Sequence, residues 1–127
     1  MNIVRRPLRG KPATPVDLDE SFEDFPMPFE YLDSLSIQAE WVATSVSGVL
    51  GLEVSNHAFA NNTGNELLPD DEQVWTVMPG SQFTVNEDEG NHMWDISEVF
   101  YEAVRVTYTR YAGTGAMSFY YVGKAPQ

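Results

Sequence analysis

Cysteine is absent from this 127-residue chain, and histidine occurs only twice, as His57 and His92. Without cysteine, disulfides, thiolate metal sites and cysteine nucleophiles are excluded. No apolar run approaches the length of a membrane span, and none follows the arginines near the N-terminus as it would in a cleaved leader. We therefore expect no membrane partner and no secretion through a leader.

Recognisable catalytic motifs are also missing, because the sequence contains no nucleophile elbow, phosphate loop or paired-histidine zinc motif. Two carboxylates could in principle hydrolyse a glycoside, but among 19 acidic residues such pairs arise by chance. The acidic runs 70–72 and 86–89 have side chains suited to calcium, although neither matches an EF-hand loop and a solvated turn explains both. The sequence thus predicts no enzyme, no cofactor and no metal site.

Basic residues are scarce outside the N-terminus. Residues 1–16 hold four basic residues and no acid, a local charge of +4, whereas residues 17–127 hold 19 acids and three basic residues, a charge of −16; together they give the net −12. Such an acidic body repels nucleic acid and attracts basic surfaces. Nucleic acid is therefore not an expected partner.

The first 18 residues contain three prolines and show no helical or strand periodicity, which favours an extended arm. A disordered tail is the alternative. We predict that the arm binds an acidic partner, a second copy of the chain or another subunit, through its basic residues Arg5, Arg6, Arg9 and Lys11.

The segment 19–34 mixes aromatic residues with acids and two prolines, which places it at a sheet edge or over the core. Such aromatics either cover the core or form an exposed contact patch. Because a small monomer buries them with difficulty, we predict a homo-oligomer, with a trimer as the first hypothesis. Its candidate contact residues are Phe22, Phe25, Phe29 and Tyr31.

Alternating apolar and polar residues predict strands in most of the remaining chain, and no helical period is present. Residues 100–122 are predicted to form a long hairpin that turns at Gly113-Thr114-Gly115, because glycine supplies the positive φ of a tight turn. A second hairpin is predicted from residues 35–41 and 50–54, with shorter strands at 74–78 and 82–85. The expected fold is one all-β domain over residues 19–127, an antiparallel sandwich or jelly roll.

The apolar parity of each strand also predicts the core. Two or more of the three tryptophans belong to it, although Trp41, Trp75 and Trp94 could instead form a sugar-stacking platform, with Trp75 and Trp94 exposed on neighbouring loops. The predicted core residues are Leu35, Ile37, Trp41, Leu50, Leu52, Val54, Val104 and Val106.

Several short motifs follow one another in a recognisable order. They are Gln38-Ala39-Glu40-Trp41, Gly51-Leu52-Glu53-Val54-Ser55-Asn56, Trp75, Met93-Trp94-Asp95-Ile96, the strand Tyr101 to Tyr108, Gly113-Thr114-Gly115 and Gly123-Lys124. Across residues 35–125 this order resembles small β-sandwich virion structural proteins of tailed bacteriophages, which include capsid cement, decoration and auxiliary tail proteins. The resemblance implies a protein on the capsid exterior, assembled in the host cytoplasm, whose partners are major capsid or other virion subunits.

The stretch Tyr101 to Val106 also resembles the corresponding strand of galactose-binding-like, discoidin-type jelly rolls. That resemblance implies the alternative function, a carbohydrate-binding or receptor-binding module or a tail accessory protein. A carbohydrate-binding module needs exposed aromatics beside converging polar groups, whereas a cement protein needs a broad contact surface.

Overall fold

A computed structural model describes residues 5–10, 15–28, 34–59, 66–97 and 101–126, and it places the side chains of residues 15–23, 34–59, 66–96 and 101–123. This part of the chain is nearly all β and has no α-helix, only a 3₁₀ turn at Asp70–Glu72. No helix in it is long and apolar enough to span a membrane. The strands are β1 Arg5–Gly10, β2 Val16–Asp17, β3 Phe22–Pro28, β4 Ser34–His57, β5 Val74–Val77, β6 Phe83–Val85, β7 Glu89–Ser97 and β8 Ala103–Pro126.

The eight strands form one antiparallel sheet built around two 24-residue strands, β4 and β8. These two strands pair along nearly their whole length, from Ser34 opposite Lys124 to Ser55 opposite Ala103. The outer edge of β8 carries β1, β2 and β3, and the outer edge of β4 carries β5, β6 and β7. Each long strand is therefore central in the sheet.

This pairing shows that both predicted hairpins are wrong. Residues 100–122 do not turn back at Gly113-Thr114-Gly115, because β8 runs through these glycines and pairs with β4 on both sides of them. Likewise, 35–41 and 50–54 are two parts of the one strand β4. The shorter predicted strands at 74–78 and 82–85 are confirmed as β5 and β6, with a turn at Pro79 and Gly80 between them.

The glycines form a bend in the β4–β8 pair. In β4, Ser45 and Val46 together lie opposite the single residue Gly113 of β8. One step further along, β8 has an extra residue, Tyr111, which has no opposite residue in β4. Ser45 has φ 53° and Gly113 has φ 91°. A β-carbon on Gly113 would lie 2.6 Å from the carbonyl oxygen of Ser45, so the two backbones approach too closely there for a side chain.

Because each strand has one extra residue at the bend, the register between β4 and β8 is the same before and after it. The same face of the sheet therefore remains buried on both sides of the bend. Each insertion reverses the parity of the buried positions: in β4 from odd to even numbers, in β8 from even to odd. In the sequence, the apolar positions change from odd to even, or from even to odd, after a run of small residues. Two strands joined by a turn give the same pattern, which explains why hairpins were predicted.

The predicted core is confirmed, because all eight residues are 5% exposed or less. One cluster joins them to further buried residues from β4, β6, β7, β8 and the position after β2: Leu18, Ala39, Val46, Val85, Trp94, Ile96, Tyr108, Met117 and Phe119. Two tryptophans, Trp41 and Trp94, belong to this core, as expected.

Ring contacts connect the two halves of the sheet. Phe22 of β3 lies edge-on to Phe119 at 6.1 Å between centroids, and Phe83 of β6 stacks on His92 of β7 at 4.2 Å. β3 and β6 pair with one half of the central strands, whereas Phe119 and β7 belong to the other. The prediction of an antiparallel all-β fold is confirmed; the sandwich or jelly-roll class remains a prediction.

Candidate functional site

Part of the basic arm forms strand β1. Its backbone pairs antiparallel with the end of β8, from Arg5 opposite Pro126 to Gly10 opposite Tyr121. β2 continues along the same edge, and the next residue, Leu18, is fully buried. For Arg5, Arg6 and Arg9 the structure describes the backbone only, and Lys11 lies outside the described residues, so their role in binding remains a prediction.

The candidate oligomer contact is described mainly at Phe22. Its half-buried ring stacks on Tyr108, 5.5 Å between centroids and 30° between planes, so it packs against the core of its own chain. Phe25 is described by its backbone in β3 alone, and Phe29 and Tyr31 lie outside the described residues. The predicted oligomer therefore remains untested.

A network of polar contacts surrounds Arg105, which lies near the start of β8 and opposite Glu53 of β4. Its Nη2 lies 2.6 Å from Glu53 Oε1 and 2.9 Å from Glu23 Oε2, and its Nε donates to Glu53 Oε1 at 2.8 Å. The guanidinium carbon lies 4.3 Å from the centroid of the Trp75 ring. Arg105 on β8 thus joins β3, β4 and β5 through one ion-pair and cation–π network.

Two further contacts hold Trp75 in place beside this network. Its indole nitrogen donates to Gln73 Oε1 at 2.9 Å, and the ring packs against a small second core cluster. That cluster consists of Ala58, Phe59 and Ala103. Trp94 is 6% exposed, and its indole nitrogen donates to the carbonyl of Ser81 at 2.7 Å. The two tryptophans predicted to be exposed in a sugar platform therefore lie on separate strands, and each is engaged in packing.

A polar groove of about 440 Å³ lies beside the Arg105 network, between the start of β3 and Gln82. Hydroxyl, amide and carboxylate side chains line it: Ser21, Glu23, Glu53, Gln82, Thr107 and Thr109. These groups can donate and accept hydrogen bonds, as a polyhydroxylated ligand would require.

The two histidines occupy different environments. His57 is exposed at the end of β4, whereas His92 is half-buried, stacks on Phe83 and lies edge-on to Trp94 at 4.9 Å. Burial lowers the pKa of His92 below its usual 6.5, because the charged imidazolium is poorly solvated there. In the described part of the chain, no three histidine or acidic side chains are grouped to hold a metal ion.

The acidic turn at 86–90 has a structural role that sequence reasoning missed. The Asp88 carboxylate accepts a hydrogen bond from the backbone N–H of Val46 at 3.3 Å, and the Asp88 carbonyl accepts one from Ala43 at 2.6 Å. The Glu87 carbonyl accepts the indole N–H of Trp41. The turn thus satisfies backbone donors at the bend of β4.

The chain was compared with protein-family models, with curated proteins and with solved structures. None matches it.

The sequence offered a partial signal for the Arg105 network. Alternation places Arg105 on the solvent face of its strand, but its partner Glu53 is 52 positions away and Glu23 is further still. Such pairings depend on which strands are neighbours, and strand order was the part of the prediction that failed.

Proposed function

We propose that the chain is a non-enzymatic structural protein of a tailed-bacteriophage virion, a capsid cement or decoration protein that stabilises the head by binding major capsid subunits. The order of motifs across residues 35–125 supports the family, and the antiparallel all-β sheet is compatible with it. The proposal includes the finer fold class, a β-sandwich whose two layers are the halves of the bent sheet, because one core cluster is shared by both halves.

The position of the basic arm is the observation that carries this proposal. β1 contains three of the four basic residues of the arm, and it lies at an edge of a sheet whose body has a charge of −16. No strand in the described part of the chain pairs with the outer side of β1. A basic strand at an open edge can contact an acidic neighbouring subunit and attract it electrostatically.

Binding through β1 would be sensitive to salt. Exposed ion pairs each contribute under about 1 kcal/mol and weaken with ionic strength, so several must act together. Because β1 pairs with β8 of its own chain, it presents its basic residues from a defined place on the body. The arm then acts as a positioned edge rather than a free tether.

The test is reconstitution on capsids that lack the protein. Replacing Arg5, Arg6 and Arg9 together by serine should reduce occupancy and cause loss of the protein at moderate salt, because the basic charge is removed. Replacing the same residues by lysine keeps the charge and should retain most binding. Particle mass spectrometry or quantitative gels would measure the copies per particle.

Equal occupancy and equal salt resistance of the serine and wild-type proteins would refute attachment through the arm. Absence of binding by the wild-type protein to any capsid would refute the cement function itself. Hundreds of copies per particle would indicate the capsid lattice, whereas a dozen or fewer would contradict it and indicate the tail.

The polar groove beside Arg105 supports the second hypothesis, carbohydrate or receptor binding. We expect binding of simple sugars to be absent or weak, because both candidate tryptophans are engaged in packing. Titration with host polysaccharide, followed by calorimetry, tests this expectation. Saturable binding that is lost in Thr107→Val or Trp75→Ala, with folding retained, would favour the carbohydrate hypothesis instead.

A further inference from the structure

Strand β7 lies at an edge of the sheet. It pairs with β4 on one side, and no described strand pairs with its other side. Over nine residues it contains no proline and no lysine, and its register with β4 has no shift. Prolines, lysines and irregular register normally prevent open edges from pairing with another chain.

The other edge strands in the described part of the chain carry such features. β1 contains Pro7, and β3 contains Pro26 and Pro28 and a register shift. β5 has a register shift against β4, and β2 and β6 have only two and three residues. Among these strands, β7 alone is long, regular and free of proline.

The hydrogen bonding of β7 identifies the backbone groups that face outward. The N–H of Ala43 donates to the carbonyl of Asp88 at 2.6 Å, which makes this a hydrogen-bonded pair in the β4–β7 register. Hydrogen-bonded and non-hydrogen-bonded pairs alternate along antiparallel strands. By this alternation, the odd-numbered residues from Glu89 to Ser97 direct their N–H and C=O groups away from β4, to the free edge.

We propose that β7 pairs with β7 of a second copy, antiparallel about a two-fold axis at Met93. In this register Met93 lies opposite Met93 of the second copy, Asn91 opposite Asp95, and Glu89 opposite Ser97. The outward groups of the five odd-numbered residues would then form about ten backbone hydrogen bonds, two for each hydrogen-bonded pair. The sheets of the two copies become continuous, and the contact is isologous.

The side chains fit this register. Met93 is 48% exposed and would bury an apolar side chain at the axis. An amide faces a carboxylate at Asn91 and Asp95, so no acids lie directly opposite each other despite the net charge of −12. Moving the axis to His92 would place Glu89 opposite Asp95, a like-charge pair that destabilises a sheet. The axis at Met93 avoids this pair, and it lets all five odd-numbered residues of β7 pair, whereas an axis at His92 or Trp94 would pair only four of them.

This inference is independent of the proposed virion function. It also differs from the trimer hypothesis, which rests on the aromatic segment before β4. Because both copies are strongly acidic, the dimer should strengthen when salt screens their repulsion. Attachment through β1 would have the opposite salt dependence.

The first test is a cross-link in the full chain, which has no cysteine of its own. Across a hydrogen-bonded antiparallel pair the Cα atoms lie about 5.5 Å apart, within the range of a disulfide. Met93→Cys should therefore form a covalent dimer under mild oxidation. Tyr111→Cys is the control, because Tyr111 is 66% exposed and belongs to β8, which β4 separates from β7. Equal cross-linking of the two variants would overturn the proposal.

The second test changes the side chains of the pair formed by Asn91 and Asp95. Asn91→Asp places two acids opposite each other twice in the dimer, and we expect its dissociation constant in sedimentation equilibrium to rise roughly tenfold. The double variant Asn91→Asp with Asp95→Asn restores the complementary pair at the original net charge and should recover the affinity. Asn86→Asp, exposed in the turn before β7, matches the single variant in charge. Failure of the double variant to recover would overturn the register.

Amide exchange measured by NMR gives an independent readout. The amides of Asn91, Met93 and Asp95 should exchange fast in dilute protein and slowly in concentrated protein, because they bond only in the dimer. The amides of His92 and Trp94 should be protected at both concentrations through β4. Protection of the odd-numbered amides that does not change with concentration would contradict the proposal.

Discussion

The Arg105 network provides a direct test of how the sheet is held together. Arg105 and Glu53 expose only 17% and 19% of their side chains, whereas Glu23 exposes 60%. Replacing Arg105 by methionine keeps an apolar chain over Trp75 but leaves Glu53 largely desolvated and without its partner. We therefore expect the variant to be less stable than the wild type.

The magnitude follows from the exposure of each partner. Breaking a buried pair by removing one side costs about 3–5 kcal/mol, and an exposed pair contributes under about 1 kcal/mol. Because both groups of the closer pair retain some contact with water, we expect Arg105→Met to cost roughly 2–3 kcal/mol. Glu53→Gln should cost roughly 1–2 kcal/mol, and Glu23→Gln under about 0.5 kcal/mol.

Urea unfolding followed by tryptophan fluorescence would measure these differences. Arg110→Met is the control on the same strand, since Arg110 is exposed and its Nε donates to the Gly113 carbonyl rather than to a carboxylate. A double-mutant cycle should give a larger coupling energy between Arg105 and Glu53 than between Arg105 and Glu23. If Arg105→Met unfolds at the same urea concentration as the wild type, or no earlier than Arg110→Met, the reasoning from burial fails.

Three further predictions concern the bend and the core. Gly113→Ala should lower the unfolding free energy by more than about 2 kcal/mol. Gly80→Ala, also at positive φ but with open space around it, should cost about 1 kcal/mol. Equal losses of stability in urea unfolding would contradict backbone crowding at the bend. Tyr108→Phe should be neutral or stabilising by about 1 kcal/mol, because the buried Tyr108 hydroxyl has no hydrogen-bond partner among the described residues. A clear loss of thermal stability would contradict this expectation. Stability should decrease as the pH falls below about 6.5, because the lowered pKa of His92 makes the unfolded chain the better proton acceptor. His92→Phe should flatten this pH dependence of stability, whereas His57→Gln, at an exposed position, should not.

The buried positions could be predicted without the structure. Alternation along 35–41, 50–54 and 104–106 reports which side chains share a face, and that face is buried wherever most of its members are apolar. This is why all eight predicted core residues are buried although the connections between their strands were wrong. The packing of Trp41 and Trp94 in the core follows from the same pattern.

The candidate sites were less predictable. The charge of the arm is a property of composition, so it was evident in the sequence, but the pairing of β1 with the end of β8 was not. The Arg105 network and the free edge of β7 depend on which strands are neighbours. No local pattern within either strand contains that information.

The sequence by itself determined that this chain forms strands, which face of each strand is apolar, and where the opposite charges lie, because these depend on residue type and a spacing of two. Only the tertiary structure decided that the glycines at 113 and 115 bend a continuous strand rather than close a hairpin. Glycine permits positive φ in both arrangements, and the choice is made by the partner strand. Pairing with β4 on both sides of the bend, together with the hydrogen bonds that Asp88 accepts from Ala43 and Val46, selects the long bent strand.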